Sequence, residues 1–520
     1  MNRSRYWLLV AIGIFAVAGV VLAIIIPLAA TPYGEKMQSQ TLTVTPEPVS
    51  RVDATGNWTL PTSLQINAGA GSEHVAQYLA GTLNALGGVQ ASVAAAGKIS
   101  LNIEPGQPEE GYTLSIGESG VNLSASTEAG LFWGVQTLRQ LLSGSKGDGW
   151  SLPNTKIIDY PRFAYRGAML DVARHFFPVD VVKKYIDDIV LLKLNALHLH
   201  LTDDQGWRIA INGWPNLTDY GARTQVDGGG GGYYSQADYK EIVDYAASRF
   251  VTVVPEIDLP GHTNAALASY PELNCDGIAP ELYEGIKVGF SSLCVDKELT
   301  YEFLQDVLSQ IARLTPGPYL HIGGDEALST PEEDYLKFIA RVSKIASETG
   351  KTVVGWHEMG KSTQLPEGTI GQYWSFTTPR EDAAELAKQF ISSGGKLILS
   401  PANAIYLDMK YDESSPLGLV WADGPTSLRR SYDWEPLAVV PGIVESQILG
   451  IEAPLWTETV KTLSDIETMA FPRIASAAQK AWSPKDQATF DAFAKQVANL
   501  GTVLERLGIK FEKATGVDWH

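Results

Sequence analysis

The chain has 520 residues, enough for about two to four domains and a large core. It carries 40 Lys and Arg against 59 Asp and Glu, a net charge of −19, with no basic run outside the extreme N-terminus. That balance excludes a nucleic-acid partner, which requires a basic face. It reads as a solvated acidic surface.

In chain order, Arg3 and Arg5 precede an uncharged apolar run from Trp7 to Ala30. The run exceeds a signal-peptide core and can cross a bilayer, so residues 1–30 are expected to be a membrane anchor or a signal peptide. The positive flank stays in the cytoplasm, which places the remainder outside it. Residues 31–50 are rich in Thr, Pro and Gln without periodicity and read as a spacer. Residues 51–160 are predicted to form a small α/β support domain. Helical spacing runs from Ser72 to Leu86 and from Glu128 to Leu142, and Lys98 to Ile103 alternates like a strand. Tyr112–Ile116 and Val121–Ala125 flank a Gly-containing turn, a hairpin signal. Cys275 and Cys294, the two cysteines of the chain, lie in one Gly- and Pro-containing loop region. In an exported protein they are predicted to form a disulfide.

From Arg166 onward short apolar runs alternate with helical stretches. The strand candidates are Gly167–Val172, Ala196–Leu201, Val251–Ile257, Tyr319–Gly323, Thr352–Trp356, Thr369–Tyr373, Lys396–Ser400 and Gly450–Leu455. Near-continuous apolar strands in alternation with helices predict a parallel sheet. Eight such units predict an α/β fold with a (β/α)₈ TIM barrel over residues 161–520, preceded by the small α/β domain. The run Gly228–Gly232 has no Lys and Ser or Thr after it and is not a phosphate loop.

The residues at the predicted strand ends are the informative ones: Asp171 and Arg174; Asp203 and Asp204; Asp258 and His262; Asp325 and Glu326; Trp356 and His357; Trp374; Asn403, Tyr406 and Asp408; Trp456 and Glu458. A barrel gathers these at its C-terminal face, where active sites lie. Aromatic walls with several acids suit a sugar pocket. No Ser nucleophile elbow is present. His198, His200, His262 and His321 raise the question of a metal, but His198 and His200 precede their strand end and read as satisfied barrel histidines. No metal and no cofactor is expected. Carboxylates in this setting point to glycoside hydrolysis, without choosing the sugar or assigning the acids.

Four motifs then carry a resemblance: RGAMLDVARHF from Arg166, HLHLTDDQGW from His198, VPEIDLPGH from Val254 and HIGGDE from His321. Shorter matches follow at Gly355–Trp356, Gln372–Trp374, Tyr406–Asp408 and EAPLWTE from Glu452. In this order they resemble the glycoside hydrolase family 20 β-N-acetylhexosaminidases, particularly the secreted bacterial ones. The resemblance implies an exo-acting, retaining enzyme that removes terminal GlcNAc or GalNAc from glycans or chitooligosaccharides by substrate-assisted catalysis. It implies that Glu326 is the general acid, that Asp325 orients and stabilises the substrate acetamido group, and that Tyr406 donates to its carbonyl. Trp356, Trp374 and Trp456 would wall the acetamido pocket, with Trp421 at the aglycone or rim. Arg166 and Glu458 would grip ring hydroxyls, with Asp408 near the hydroxymethyl group. Asp203, Asp258 and His262 would support the acid. Asp203 and Asp204 are adjacent, so a regular strand sends them to opposite sides, and Asp203 is the preferred one. The competing readings are a retaining glycosidase with Asp258 or Glu458 as nucleophile, a non-catalytic sugar-binding protein, and an endo-acting chitinase-like enzyme.

Overall fold

The computed structural model describes residues 42–485 and 488–519. The apolar run Trp7–Ala30 and residues 31–41 of the expected spacer lie outside the described residues. The rest of that spacer is built into the body. Val44 and Thr45 are buried. The Thr45 N–H donates to Gln140 Oε1 at 2.8 Å, and the Glu47 N–H donates to Gln479 Oε1 at 2.8 Å. Irregular backbone held by side-chain amides has no periodicity, which is why it reads as linker.

The leading part is a mixed sheet. Its strand order is Ser50–Thr59, Gly149–Asp159, Tyr112–Gly117, Gly120–Ala125, Ile99–Ile103, Ser63–Ala68 and Gln90–Ala94, with Ser143–Ser145 paired to Gly149–Asp159. The expected hairpin is the antiparallel pair Tyr112–Gly117 and Gly120–Ala125. Helices Glu73–Leu86 and Glu128–Leu141 pack on this sheet.

Eight parallel strands then close a barrel: Tyr165–Asp171, Ala196–His200, Thr252–Leu259, Tyr319–Gly323, Thr352–Trp356, Ile370–Tyr373, Leu397–Leu399 and Ile448–Leu455. They are called the first to eighth barrel strands below. The eighth pairs with the first, Ile451 beside Arg166 and Leu455 beside Leu170. Their residues are almost all buried, as expected when lumen and helix layer cover both faces. The outer helices are amphipathic; Glu298–Leu314, for example, buries Phe303, Leu304, Val307, Leu308 and Ile311. Between the seventh and eighth strands the regular helix gives way to a long excursion with short helices Ala402–Ile405, Leu428–Tyr432 and Pro436–Val439. That excursion supplies Tyr406, Asp408 and Trp421.

Arg166 does not reach the C-terminal face. It sits near the start of the first strand, so a parallel barrel places it at the opposite end. Its fully buried guanidinium pairs with both Glu110 carboxylate oxygens, at 2.8 and 2.6 Å, and donates to the Lys193 and Phe163 carbonyls. It lies against the rings of Trp133 and Trp482, 5.7 and 5.0 Å from their centroids. Beside it, Lys193 Nζ donates to Asp159 at 2.8 Å and to Tyr112 Oη at 3.0 Å. These contacts fasten the leading sheet to the N-terminal end of the barrel. The expected grip of Arg166 on a ring hydroxyl is therefore corrected: it is a structural residue. Arg166→Ala should lower stability by about 3 kcal/mol by stranding Glu110 and leave KM of the folded fraction unchanged. Denaturant titration and steady-state kinetics on the same sample check both.

Candidate active site

At the C-terminal face a cavity of about 540 Å³ opens, a volume typical of small-molecule sites. Five aromatic residues border it: Trp356, Trp374, Tyr406, Trp421 and Trp456. Their rings interlock edge to face or tilted, Trp356 with Trp456 at 5.9 Å, Tyr406 with Trp421 at 5.7 Å and Trp374 with Trp421 at 6.1 Å. Trp356 and Tyr406 are buried, whereas Trp421 is 45% exposed and stands at the rim. Ile286 and Val288 add an aliphatic part to the lining. Both come from the loop closed by the Cys275–Cys294 disulfide, which is formed as expected. Asp204 anchors that loop by accepting from the Ser291 hydroxyl, and it also accepts the Asn264 N–H. Its role is structural.

The polar lining is Arg174, His262, Asp325, Glu326 and Glu458. Arg174 follows the first strand because Asp171 Oδ1 accepts the N–H groups of Ala173 and Arg174, at 2.8 and 3.0 Å, and turns the chain. Its guanidinium pairs with Asp203 at 2.8 Å and lies over the Trp456 ring. Arg174 Nε, Asp325 Oδ1 and Glu458 Oε2 are buried and have no hydrogen-bond partner among the described residues. Buried polar atoms in this state call for a partner such as ordered water or a ligand.

Asp325 and Glu326 follow the fourth strand through Gly323 and Gly324, both at positive φ. At Gly323 a Cβ would fall 1.7 Å from Asp258 Oδ1, so glycine is required for that approach. Asp258 uses the same oxygen to accept the Gly324 and Leu259 N–H groups. Glu326 itself takes a left-handed φ of 44°. His262 stands between the acids and their support. Its Nε2 is 3.4 Å from Glu326 and 3.6 Å from Asp325, and its Nδ1 is 3.2 Å from Asp203.

Burial pushes the Asp325 carboxyl up to about 7, opposed by His262 and reinforced by Glu358, Glu326 and Glu256. Glu358 also rises to about 7, through burial, against the indole N–H of Trp374 bonded to both of its oxygens at 3.1 and 2.9 Å. Asp203 goes the other way: burial opposes its charge, but Arg174 and His262 hold it well below the usual range. Asp258, Asp408 and Glu458 are all raised, by burial first.

The structure thus brings Glu326, Asp325, Tyr406, His262, Trp356, Trp374, Trp421, Trp456 and Glu458 together around one cavity. Asp203 and Asp258 are buried and hold the lining from behind, and Asp408 is buried within electrostatic reach of Glu458 and Tyr406. Arg174 takes the place expected of Arg166. The first motif holds both arginines, and only the one past the strand end can face the cavity. Glu358, two residues beyond Trp356, was not anticipated; nothing but its tertiary neighbours marks it. The lumen histidines His198, His200 and His321 are each within 3.1 Å of a carboxylate oxygen of Glu256 or Glu452.

Residues 163–485 match the model of the glycosyl hydrolase family 20 catalytic domain, and residues 41–160 match that family's domain 2. The chain belongs to glycosyl hydrolase family 20. A β-N-acetylhexosaminidase of Cellulomonas fimi is 42% identical over 79% of this chain and 82% of its own. The Streptomyces plicatus N-acetyl-β-hexosaminidase in complex with Thio-NAglucal superposes with a TM-score of 0.89 at 48% identity, covering 92% of this chain and 97% of its own. A family 20 exo-β-N-acetylglucosaminidase from Vibrio harveyi, in complex with N-acetylglucosamine, gives 0.81 at 29% identity over 93% of this chain and 81% of its own. This family 20 chain is an exo-acting β-N-acetylhexosaminidase, a glycoside hydrolase acting on N-acetylhexosamine-containing substrates.

The raised Asp325 carboxyl has a thermodynamic consequence. A group that binds its proton more tightly when folded costs nothing below its unfolded value near pH 4. It costs progressively more as pH rises to about 7, and its full amount above that. Asp325→Asn should therefore stabilise the protein at pH 8, on the order of a few kcal/mol, and give no advantage near pH 4. Thermal melts at the two pH values test the sign.

Proposed function

We propose that hydrolysis proceeds through attack by the substrate's own acetamido oxygen, with Glu326 as general acid and Asp325 as the partner of the acetamido N–H. One observation carries this reading. Neighbouring residues of an extended chain point to opposite sides, but the positive φ of Glu326 lets both carboxylates line the same cavity. Two acids on one side cannot address an anomeric carbon from opposite faces. They can serve two atoms of one substrate. Glu326 gives its proton to the leaving oxygen as the glycosidic C–O bond breaks. The acetamido oxygen bonds to the same carbon, giving an oxazolinium ion whose N–H charge Asp325 stabilises. Tyr406 and the three inner Trp rings hold the acetamido group in attack geometry. Water, deprotonated by Glu326, then opens the ring with net retention.

Arg174 and Glu458, with unpaired buried atoms facing the cavity, are assigned to ring hydroxyls, with Asp408 beside them. The substrates are glycans or chitooligosaccharides ending in GlcNAc or GalNAc; the N-acetylglucosamine held by the Vibrio harveyi relative supports this. Asp258 is a poor nucleophile here, because its carboxylate is engaged by the Gly323–Gly324 turn and burial favours its neutral form. The apolar run before the body is assigned to placing it outside the cytoplasm, anchored or secreted, a location in keeping with the disulfide.

A stable thiazoline mimic of the oxazoline should inhibit competitively and far more tightly than N-acetylglucosamine. Glu326→Gln should cut kcat by about 10²–10⁴ on substrates with poor leaving groups, and Asp325→Asn should lower kcat with little change in KM. Arg174→Ala should lower kcat/KM by roughly tenfold or more. Weak inhibition by the mimic, together with a covalent glycosyl adduct on Glu458, would overturn the mechanism.

A further inference from the structure

Below the floor of the cavity lies Glu256, on the third barrel strand and fully buried. It is level with His200 on the second strand and His321 on the fourth. Its two oxygens face two different parts of the site. Oε1 accepts the indole N–H of Trp356 at 2.8 Å, with His321 Nδ1 3.0 Å away. Oε2 is bonded to His200 Nδ1, with His198 Nε2 3.1 Å away. From His200 the chain of contacts continues upward. His200 Nε2 meets Asp203 Oδ2 at 2.9 Å, Asp203 holds Arg174 and His262, and His262 reaches Glu326. From Trp356 the other route runs directly into the aromatic wall, through Trp456 to Tyr406.

We infer that Glu256 is a positioning residue which fixes the acetamido wall and the proton-bearing line of the acid to one another. This rests on the catalytic reading above and adds a shared anchor to it. A carboxylate suits the position because it is acceptor-only and offers about four lone-pair sites. The groups bonded to it, the Trp356 indole and the His200 imidazole, are donors, with His198 held toward its charged form beside them, whereas His321 Nδ1 accepts the Gly323 N–H. A glutamine would keep the shape but present an N–H₂ to one of the two groups and break that arm. The charged and titratable groups around Glu256 are His198 and His200 on the second strand, Asp258 on its own strand and His321 on the fourth, with Asp325 above and Glu452 across His198. Glu452 completes the lumen by taking His198 at 2.9 Å and Gln372 at 2.7 Å.

The test uses the full chain and two readouts: the inhibition constant of the thiazoline mimic for the acetamido arm, and the pH profile of kcat/KM on an aryl β-N-acetylglucosaminide for the acid arm. Glu256→Gln, folded by near-UV circular dichroism, should weaken the mimic tenfold or more and displace a limb of the profile by at least half a pH unit. Trp356→Phe, which removes the N–H together with the pyrrole part of the indole, should move the first readout alone. His200→Asn should move the second more than the first, because its ring also packs edge to face on Trp456 at 4.8 Å. If Glu256→Gln fails to fold, Glu256→Asp keeps the charge, shortens the reach and should again move both. If neither folds, the two single-arm variants decide. A folded Glu256 variant that leaves either readout at its wild-type value overturns the inference, and so do single-arm variants that move the two readouts equally or in reverse. An unmutated enzyme indifferent to the mimic would instead overturn the catalytic reading and leave the arms to be judged by the pH profile.

Discussion

A closed barrel that buries Glu256 and Glu452 in its lumen must supply positive charge or donors beside them, because an isolated buried carboxylate would cost several kcal/mol or be neutralised. The histidines answer that requirement. Burial opposes the charge of His198, but Glu452 and Glu256 outweigh it and lift the imidazole to about 10; His200 is lifted to about 9 in the same way, chiefly by Glu256. Asp203 remains an anion far from water because Arg174 and His262 face it, with His200 adding a hydrogen bond from the lumen side. Charge pairing therefore runs without a break from the cavity lining through Asp203 and His200 to the Glu256 layer beneath it.

Above that paired layer the balance reverses. Asp258, Asp325 and Asp408 are buried, and Glu358 and Glu458 half-buried, with too little positive charge to go round, and each is pushed toward its neutral form. Such a concentration of destabilised acids is common at catalytic sites and is maintained by stability gained elsewhere. Here the surplus comes from the extensive apolar core.

The barrel was legible in the sequence because its strands are near-continuous apolar runs. Tyr319–Gly323 and Thr352–Trp356 coincide with the expected segments, and the other six shift by up to two residues at their ends. Strand ends then pointed to most of the lining, since topology brings them to one face. Three things were hidden. Arg166 and Arg174 share a motif and differ only in which end of a strand they occupy. Glu358 acquires its character from burial, from the Trp374 indole and from Glu326 beyond the fourth strand. The segment from Leu42 to Val49 is held by amides of Gln140 and Gln479, far away in sequence. Each depends on long-range neighbours, which local pattern does not encode.

The cavity has a floor. Trp356 and Met169 close it, the Glu256 layer lies beneath, and the far end is stoppered by Trp133, Arg166 and Trp482. A polymer held in a tunnel or open cleft can slide forward after each cut; one whose tip is lodged in a blind well cannot. After every bond broken the remaining chain must back out and the freed sugar must leave by the same mouth. On a chain substrate such a blind well works against processive digestion, because the remaining chain must clear the mouth before the freed sugar can leave.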